Sequence, residues 1–208
     1  MPSFSIFKDR SPKSFFAAYV CLVLSLLAFP VASNAQAFTL ESGKYSGKAS
    51  GSLDFSSALI DGKYTFNQAT VIIEYNAANV TASRIAFQLP VSGIKPRATG
   101  QWPFEAVGLG HFNENYMETH KYPRISGLGK LVSIGAREGE FSSSLEIHGV
   151  KVQRNFKFSV LSYGTDRISI KVETVIDSAE FGIKIPNIVK KKLPRNVPVT
   201  WTATLNKQ

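Results

Sequence analysis

Cysteine is nearly missing from this chain of 208 residues: the single thiol, Cys21, falls within an N-terminal apolar run. A scaffold stapled by disulfides is therefore excluded, and the rest of the chain must be held by its own core. Histidine is scarce as well, with His111, His120 and His148 the full set. Little is left from which to build a triad, an acid–base pair or a metal centre, and none of the three sits in a recognised motif. Absent too are a Gly-x-Ser-x-Gly elbow, a His-Glu-x-x-His pair, a Cys-x-x-Cys pair and a phosphate loop. Gly127-Leu128-Gly129-Lys130 lacks the spacing and the closing Ser or Thr of such a loop. Carboxylates are numerous enough that a glycosidase pair could be picked at will, so no pair carries weight.

Long apolar runs are missing apart from one near the start. Lys8, Arg10 and Lys13 precede an apolar stretch from Phe15 to Phe29, which ends at Pro30 and a small-residue segment. This is the pattern of a secretory signal peptide over residues 1–37, with Ala35-Gln36-Ala37 as the cleavage site and Ser33-Asn34-Ala35 as a nearby alternative. The run falls short of the roughly 20 apolar residues needed to span a bilayer, which argues against an uncleaved anchor. Ala18-Tyr19-Val20 before Cys21 does not match the pattern preceding a lipidated cysteine. The expectation is an exported protein, periplasmic or secreted, whose mature part is one domain over residues 38–208 with no thiol.

Acidic residues are outnumbered, with Lys and Arg at 24 against Asp and Glu at 15. Loss of the leader lowers the formal charge of +9 by two, and the balance still favours contact with anionic surfaces such as a membrane face. The basic residues are scattered, apart from Lys190-Lys191-Lys192 with Arg195, which reads as a solvated turn. Export also argues against a nucleic acid partner.

Helical periodicity is rare, whereas alternation of period two is frequent. Val197, Val199, Trp201, Ala203 and Leu205 share one face of a C-terminal run; Ile168, Ile170, Val172, Thr174 and Ile176 share one face of another. Phe156, Phe158 and Val160 repeat the design, as do Phe141, Ser143, Leu145 and Ile147. Each is the signature of a strand buried on one side. Turns follow at His148-Gly149 and Tyr163-Gly164-Thr165-Asp166, where glycine supplies positive φ. A longer connection runs through Pro186-Asn187 to Pro194 and Pro198. Earlier strands are expected over 44–55, 62–66, 70–76, 83–90 and 124–134, although Val71-Ile72-Ile73 is apolar on both faces. About eight or nine strands result, which suits an all-β antiparallel barrel or sandwich.

One segment breaks the alternation. Residues 112–120 place Phe112, Tyr116 and Met117 on one helical face, so a short helix capping an open end is expected there, stopped by Pro123. Glu114 and Glu118 lie four apart on it, but His111 and His120 are nine apart, a poor helical match; a solvated polar face is favoured over a metal site.

Three short signatures occur in order: Lys121-Tyr122-Pro123, Leu145-Glu146-Ile147-His148-Gly149-Val150 and Glu180-Phe181-Gly182-Ile183. With the aromatic and acidic helix before the first, they resemble the YceI-like polyisoprenoid-binding proteins in residue type and spacing. The resemblance is specific over 112–205 and general in pattern over 38–96. It departs from the family where Ile125 is followed by Ser126 and Gly127 instead of an aromatic two positions on, which bears on the width of a pocket. The resemblance implies an extended lipocalin-like antiparallel β-barrel of about eight strands, whose lumen holds a long isoprenoid, an isoprenoid quinone or a related lipid. It also brings membrane-bound redox proteins into view as partners, with a dimer among the oligomeric states left open. No cofactor beyond such a lipid is implied.

An eight-stranded barrel is just wide enough for its own side chains or one slender ligand. At about 0.8 kcal/mol per buried methylene, some 20 carbons would supply a gross ~16 kcal/mol, reduced by several kcal/mol for immobilising the chain. The inward apolar residues of the best-read strands are the candidate lumen: Phe141, Leu145, Phe156, Phe158, Ile170, Val172, Val199 and Trp201. A core closed by the same side chains is the competing reading, since such stripes line any sandwich interior. Three functions follow: a non-catalytic lipid carrier or sequestering protein, an interaction protein with a closed core and a basic surface, and a hydrolase of unrecognised site using His111 or His120.

Overall fold

The computed structural model describes residues 38–54, 63–97, 109–110, 112–183 and 195–208. The leader at 1–37, His111, and the Lys190-Lys191-Lys192 run lie outside the described residues.

Nine strands form one antiparallel sheet: β1 (Gly43–Asp54), β2 (Lys63–Tyr75), β3 (Arg84–Pro90), β4 (Lys95–Pro96), β5 (Arg124–Ile134), β6 (Glu138–Ile147), β7 (Val150–Tyr163), β8 (Arg167–Asp177) and β9 (Asn196–Lys207). Their order is β1-β9-β8-β7-β6-β5-β3-β2-β4, and β1 pairs with β2 as well. Eight strands thus close on themselves, with the two-residue β4 appended to β2 outside the ring. The barrel, and not the sandwich, is the fold. Closure gives every strand of the ring two neighbours.

The alternation read from the sequence becomes the inside and outside of this wall. Phe141, Ser143, Leu145 and Ile147 of β6 are all buried, and the intervening residues are half-buried. In β2, Val71 and Ile73 point inward while Ile72 lies half-buried between them, so the doubly apolar stretch has a single inward face. The two strands expected over 62–66 and 70–76 are one, because a bulge absorbs the break. Three steps of β2, from Ala69 to Phe66, oppose two steps of β1, from Ala49 to Gly51. Asn67 and Gln68 both face outward there, and the inward face continues on either side.

The β6–β7 connection is a two-residue turn in which His148 (φ 53°) and Gly149 (φ 75°) both have positive φ. That geometry matches the twist of the flanking strands. The helix expected over 112–120 is shorter and wider: Phe112–Tyr116 form a π-type turn, with Met117 N–H donating to Phe112 O at 2.9 Å. Glu118, at φ 41°, ends it.

One end of the barrel, where β1 begins and β9 ends, is filled. Tyr45, Ile168, Ile170 and Leu205 are wholly buried toward it. Residues 38–42 fold across this end. Phe38 packs edge-on against Tyr75 and tilted against Tyr163, and the Tyr45 hydroxyl donates to Glu41 O at 2.7 Å.

Candidate functional site

At the opposite end the inward side chains do not meet, and an apolar cavity opens between them. Its interatomic space is about 930 Å³ with the open mouth included. The wall is apolar except for Thr174 and Ser178.

The recess follows from a pair of small side chains. Ala49 of β1 and Ala69 of β2 are cross-strand partners that face inward and line the cavity. Where two neighbouring strands each present only a methyl group, the lumen lacks the volume that larger residues would fill. Phe66, Val71, Leu89 and Trp201 border the gap.

The eight residues expected to share one lumen are divided by the structure. Leu145, Phe156, Val199 and Trp201 line the cavity; Phe141, Phe158, Ile170 and Val172 are buried but are not among its lining. Phe141 stacks on Phe156 at 4.9 Å between ring centroids and lies 6.2 Å from Phe158, so these rings form a floor. Alternation reports which face a residue is on; it says nothing of its height along the barrel.

Among the lining residues not singled out for the pocket are Phe112 and Met117 from the wide helical turn, and Ile183. Their signal was present, as apolar residues within a polar helical segment and as the last residue of a signature. Phe112 stacks on Tyr64 at 4.9 Å, and burial pushes the Tyr64 phenol up from its ordinary pKa.

All three signatures meet at this open end. Glu118 accepts from Lys121 Nζ at 2.6 Å and sits 2.8 Å from His148 Nε2. The Lys121 hydrogen bond holds the Glu118 carboxyl below its usual range; desolvation opposes it, and the His148 hydrogen bond adds to it. Tyr122 packs on the His148 ring at 4.4 Å, and a Cβ at Gly149 would come within 2.6 Å of the Tyr122 ring, so only glycine fits under it. The first two signatures are therefore one clasp joining the mouth turn to the β6–β7 turn. His120 takes no part in it. Among the described residues no group of three or more His, Cys, Asp or Glu is placed to hold a metal ion.

The third signature closes a seam. The β7–β8 ladder runs from Tyr163 and Ile168 only as far as Phe158 and Val172. Beyond it, the 3-10 turn Ser178–Phe181 packs against β7, with Phe181 wholly buried and Gly182 left-handed at φ 65°. Asp177 caps the turn by accepting from Ala179 N–H at 3.0 Å and binds Arg195 through both carboxylate oxygens. The Arg195 guanidinium holds the Asp177 carboxyl below its usual range. Glu180 pairs with Arg154 of β7.

Fold and site together define a closed eight-stranded barrel with one apolar, open-mouthed pocket. Residues 31–205 match the YceI-like domain, and the chain belongs to that family. No curated protein matches it. Among solved structures it is similar to Burkholderia cenocepacia BcnA, at 10% identity and TM-score 0.61, covering 76% of this chain and 95% of that one. A polyisoprenoid binding domain from Saccharophagus degradans, implicated in plant cell wall breakdown, is similar at 12% identity and TM-score 0.58, covering 79% and 98%. The Campylobacter jejuni YCEI protein is similar at 13% identity and TM-score 0.58, covering 72% and 86%. At these identities the likeness shows a shared fold.

Proposed function

We propose that this protein is an exported, non-catalytic lipid-binding protein that holds the apolar chain of a polyisoprenoid, an isoprenoid quinone or a related lipid in its barrel for carriage or sequestration. The observation that carries the reading is the apolar cavity itself, bounded by Phe156, which stacks on the buried Phe141, and open at one end. Such a wall offers a hydrocarbon chain an escape from water and offers almost no polar contact to anything else. The relation to a domain described as polyisoprenoid binding supports it. The composition of residues 1–37 supports export to the periplasm or beyond. A basic surface would favour brief contact with an anionic membrane face, from which a lipid is drawn.

The test is native mass spectrometry of protein from an exporting host, followed by solvent extraction. An adduct that releases an isoprenoid-type lipid is expected. A second readout uses Trp201, which faces the cavity: in a Trp102→Phe background its fluorescence shifts when an isoprenoid alcohol or quinone is added. A bare protein mass, no shift and no displacement of a fluorescent lipid probe would together refute the reading.

A further inference from the structure

Phe87 of β3 and Gly127 of β5 are cross-strand partners. At their height the wall runs through Val71, Phe87, Gly127 and Leu145 on the neighbouring strands β2, β3, β5 and β6. Val71, Phe87 and Leu145 line the cavity, whereas Gly127 is buried under the Phe87 ring. A Cβ at Gly127 would overlap that ring, and the three atoms nearest to it all belong to the ring. At Gly129, on the same strand, the obstruction is the Ser142 backbone of β6 instead. Glycine weakens a strand interior and marks a place where another group comes close; at position 127 that group is a side chain of the pocket.

Ile85 and Leu89, the other inward residues of β3, are buried, but Phe87 is only half-buried. Its ring is bounded by the wall at Gly127 and by the cavity it lines. A phenyl ring swings as a unit about two torsions, so a group added at position 127 moves it toward the open space. Gly127 also stands where the family pattern has an aromatic, so in this chain the ring at this height comes from a different strand. One inward step nearer the mouth on β2, Ala69 presents only a methyl group. A bore kept wide at two successive heights suits a chain with side branches, because a slender chain leaves voids whose lining atoms lose their contacts.

We propose that Phe87 and Gly127 set the bore of the pocket, the ring held back against the glycine, and thereby select a methyl-branched isoprenoid chain over an unbranched acyl chain. The proposal rests on the lipid-binding reading and adds the residues that tell one apolar chain from another.

Two saturated alcohols with the same number of carbons test this, the isoprenoid phytanol and its unbranched counterpart, with Kd and thermal unfolding measured on the full mature chain. The wild type is expected to favour the branched alcohol by about tenfold, within the range over which apolar pockets discriminate by a methyl group. Gly127→Ala is expected to unfold cooperatively and to bring the ratio of affinities toward one, by weakening the branched alcohol. Phe87→Leu added to it removes the displaced ring and restores the preference. Phe87→Trp narrows the bore without touching β5 and is expected to lower the ratio too, which keeps the test decisive where Gly127→Ala does not fold. Equal affinities in the wild type, a preference for the unbranched alcohol, or a ratio unchanged in both single variants would overturn the proposal. So would a loss in Gly127→Ala that Phe87→Leu fails to recover, since the damage would then lie in the strand and not in the ring. Failure of the wild type to bind either alcohol refutes the lipid-binding reading itself, so the two failures are distinct.

Discussion

The filled and open halves of this barrel are built from the same strands and the same alternation, yet one is a packed core and the other a pocket. Toward the filled end the inward positions carry Tyr45, Ile168, Ile170 and Leu205, all wholly buried, with Phe38 folded across them. Toward the open end the same strands carry Ala49, Leu53 and the half-buried Val199 and Trp201. The difference lies in how side-chain volume is distributed along the strands, since the backbone ladder continues through both halves of β1 and β9. Close packing is the rule in protein interiors, so a void kept on one side of a floor of rings points to a guest.

Substitutions can break or sharpen this contrast. The largest effect is expected from Phe158→Asp in the floor, because a carboxylate there is desolvated with no partner and the folded state is lost. Recovery of a soluble variant with a cooperative unfolding transition and full lipid binding would show that Phe158 does not face the core. Next comes Phe141→Ala, expected to cost about 3–5 kcal/mol in urea unfolding, the range for deleting a buried ring. Trp201→Ala should cost clearly less, since one side of the indole already faces a void, while weakening lipid binding more. If the two rank the other way in stability, the division into floor and pocket fails.

Filling the recess is a gentler perturbation. Ala69→Phe adds a ring where the cavity offers room, so thermal unfolding should move little and lipid affinity should drop by about tenfold or more, as several buried methylenes are displaced. Undiminished binding would place the lipid elsewhere. The smallest effect belongs to the mouth clasp. Glu118 has a folded-state pKa below its ordinary value, so the clasp stabilises the fold above that ordinary value of about 4.3 and ceases to do so as pH falls through the lower, folded one. Glu118→Gln should therefore unfold slightly earlier than the wild type at neutral pH, with the difference vanishing in acid. A difference that persisted in acid would mean that Glu118 acts through packing and not through charge.

How far the sequence could be read varied with the kind of information. The strand over Arg124–Ile134 and the inward faces of β6, β8 and β9 were legible because one-sided burial imposes a period of two. The bulge in β2 was not, since a break in alternation looks like the end of a strand until the partner strand shows otherwise. For the pocket, the inward face of Leu145, Phe156, Val199 and Trp201 was readable, but nothing in their own strands separates them from Phe141, Phe158, Ile170 and Val172. The signatures were visible as words; that Glu118, Tyr122 and His148 form one clasp was not, because the residues lie 30 positions apart.

What the chain's order of residues determined on its own was which side chains turn inward and where the backbone must reverse, as at His148-Gly149, for these follow from local geometry and one-sided burial. Tertiary structure alone decided where the lumen is full and where it is hollow. That outcome depends on which residues of eight strands come to the same height, and height is set by register and bulges between strands distant in sequence.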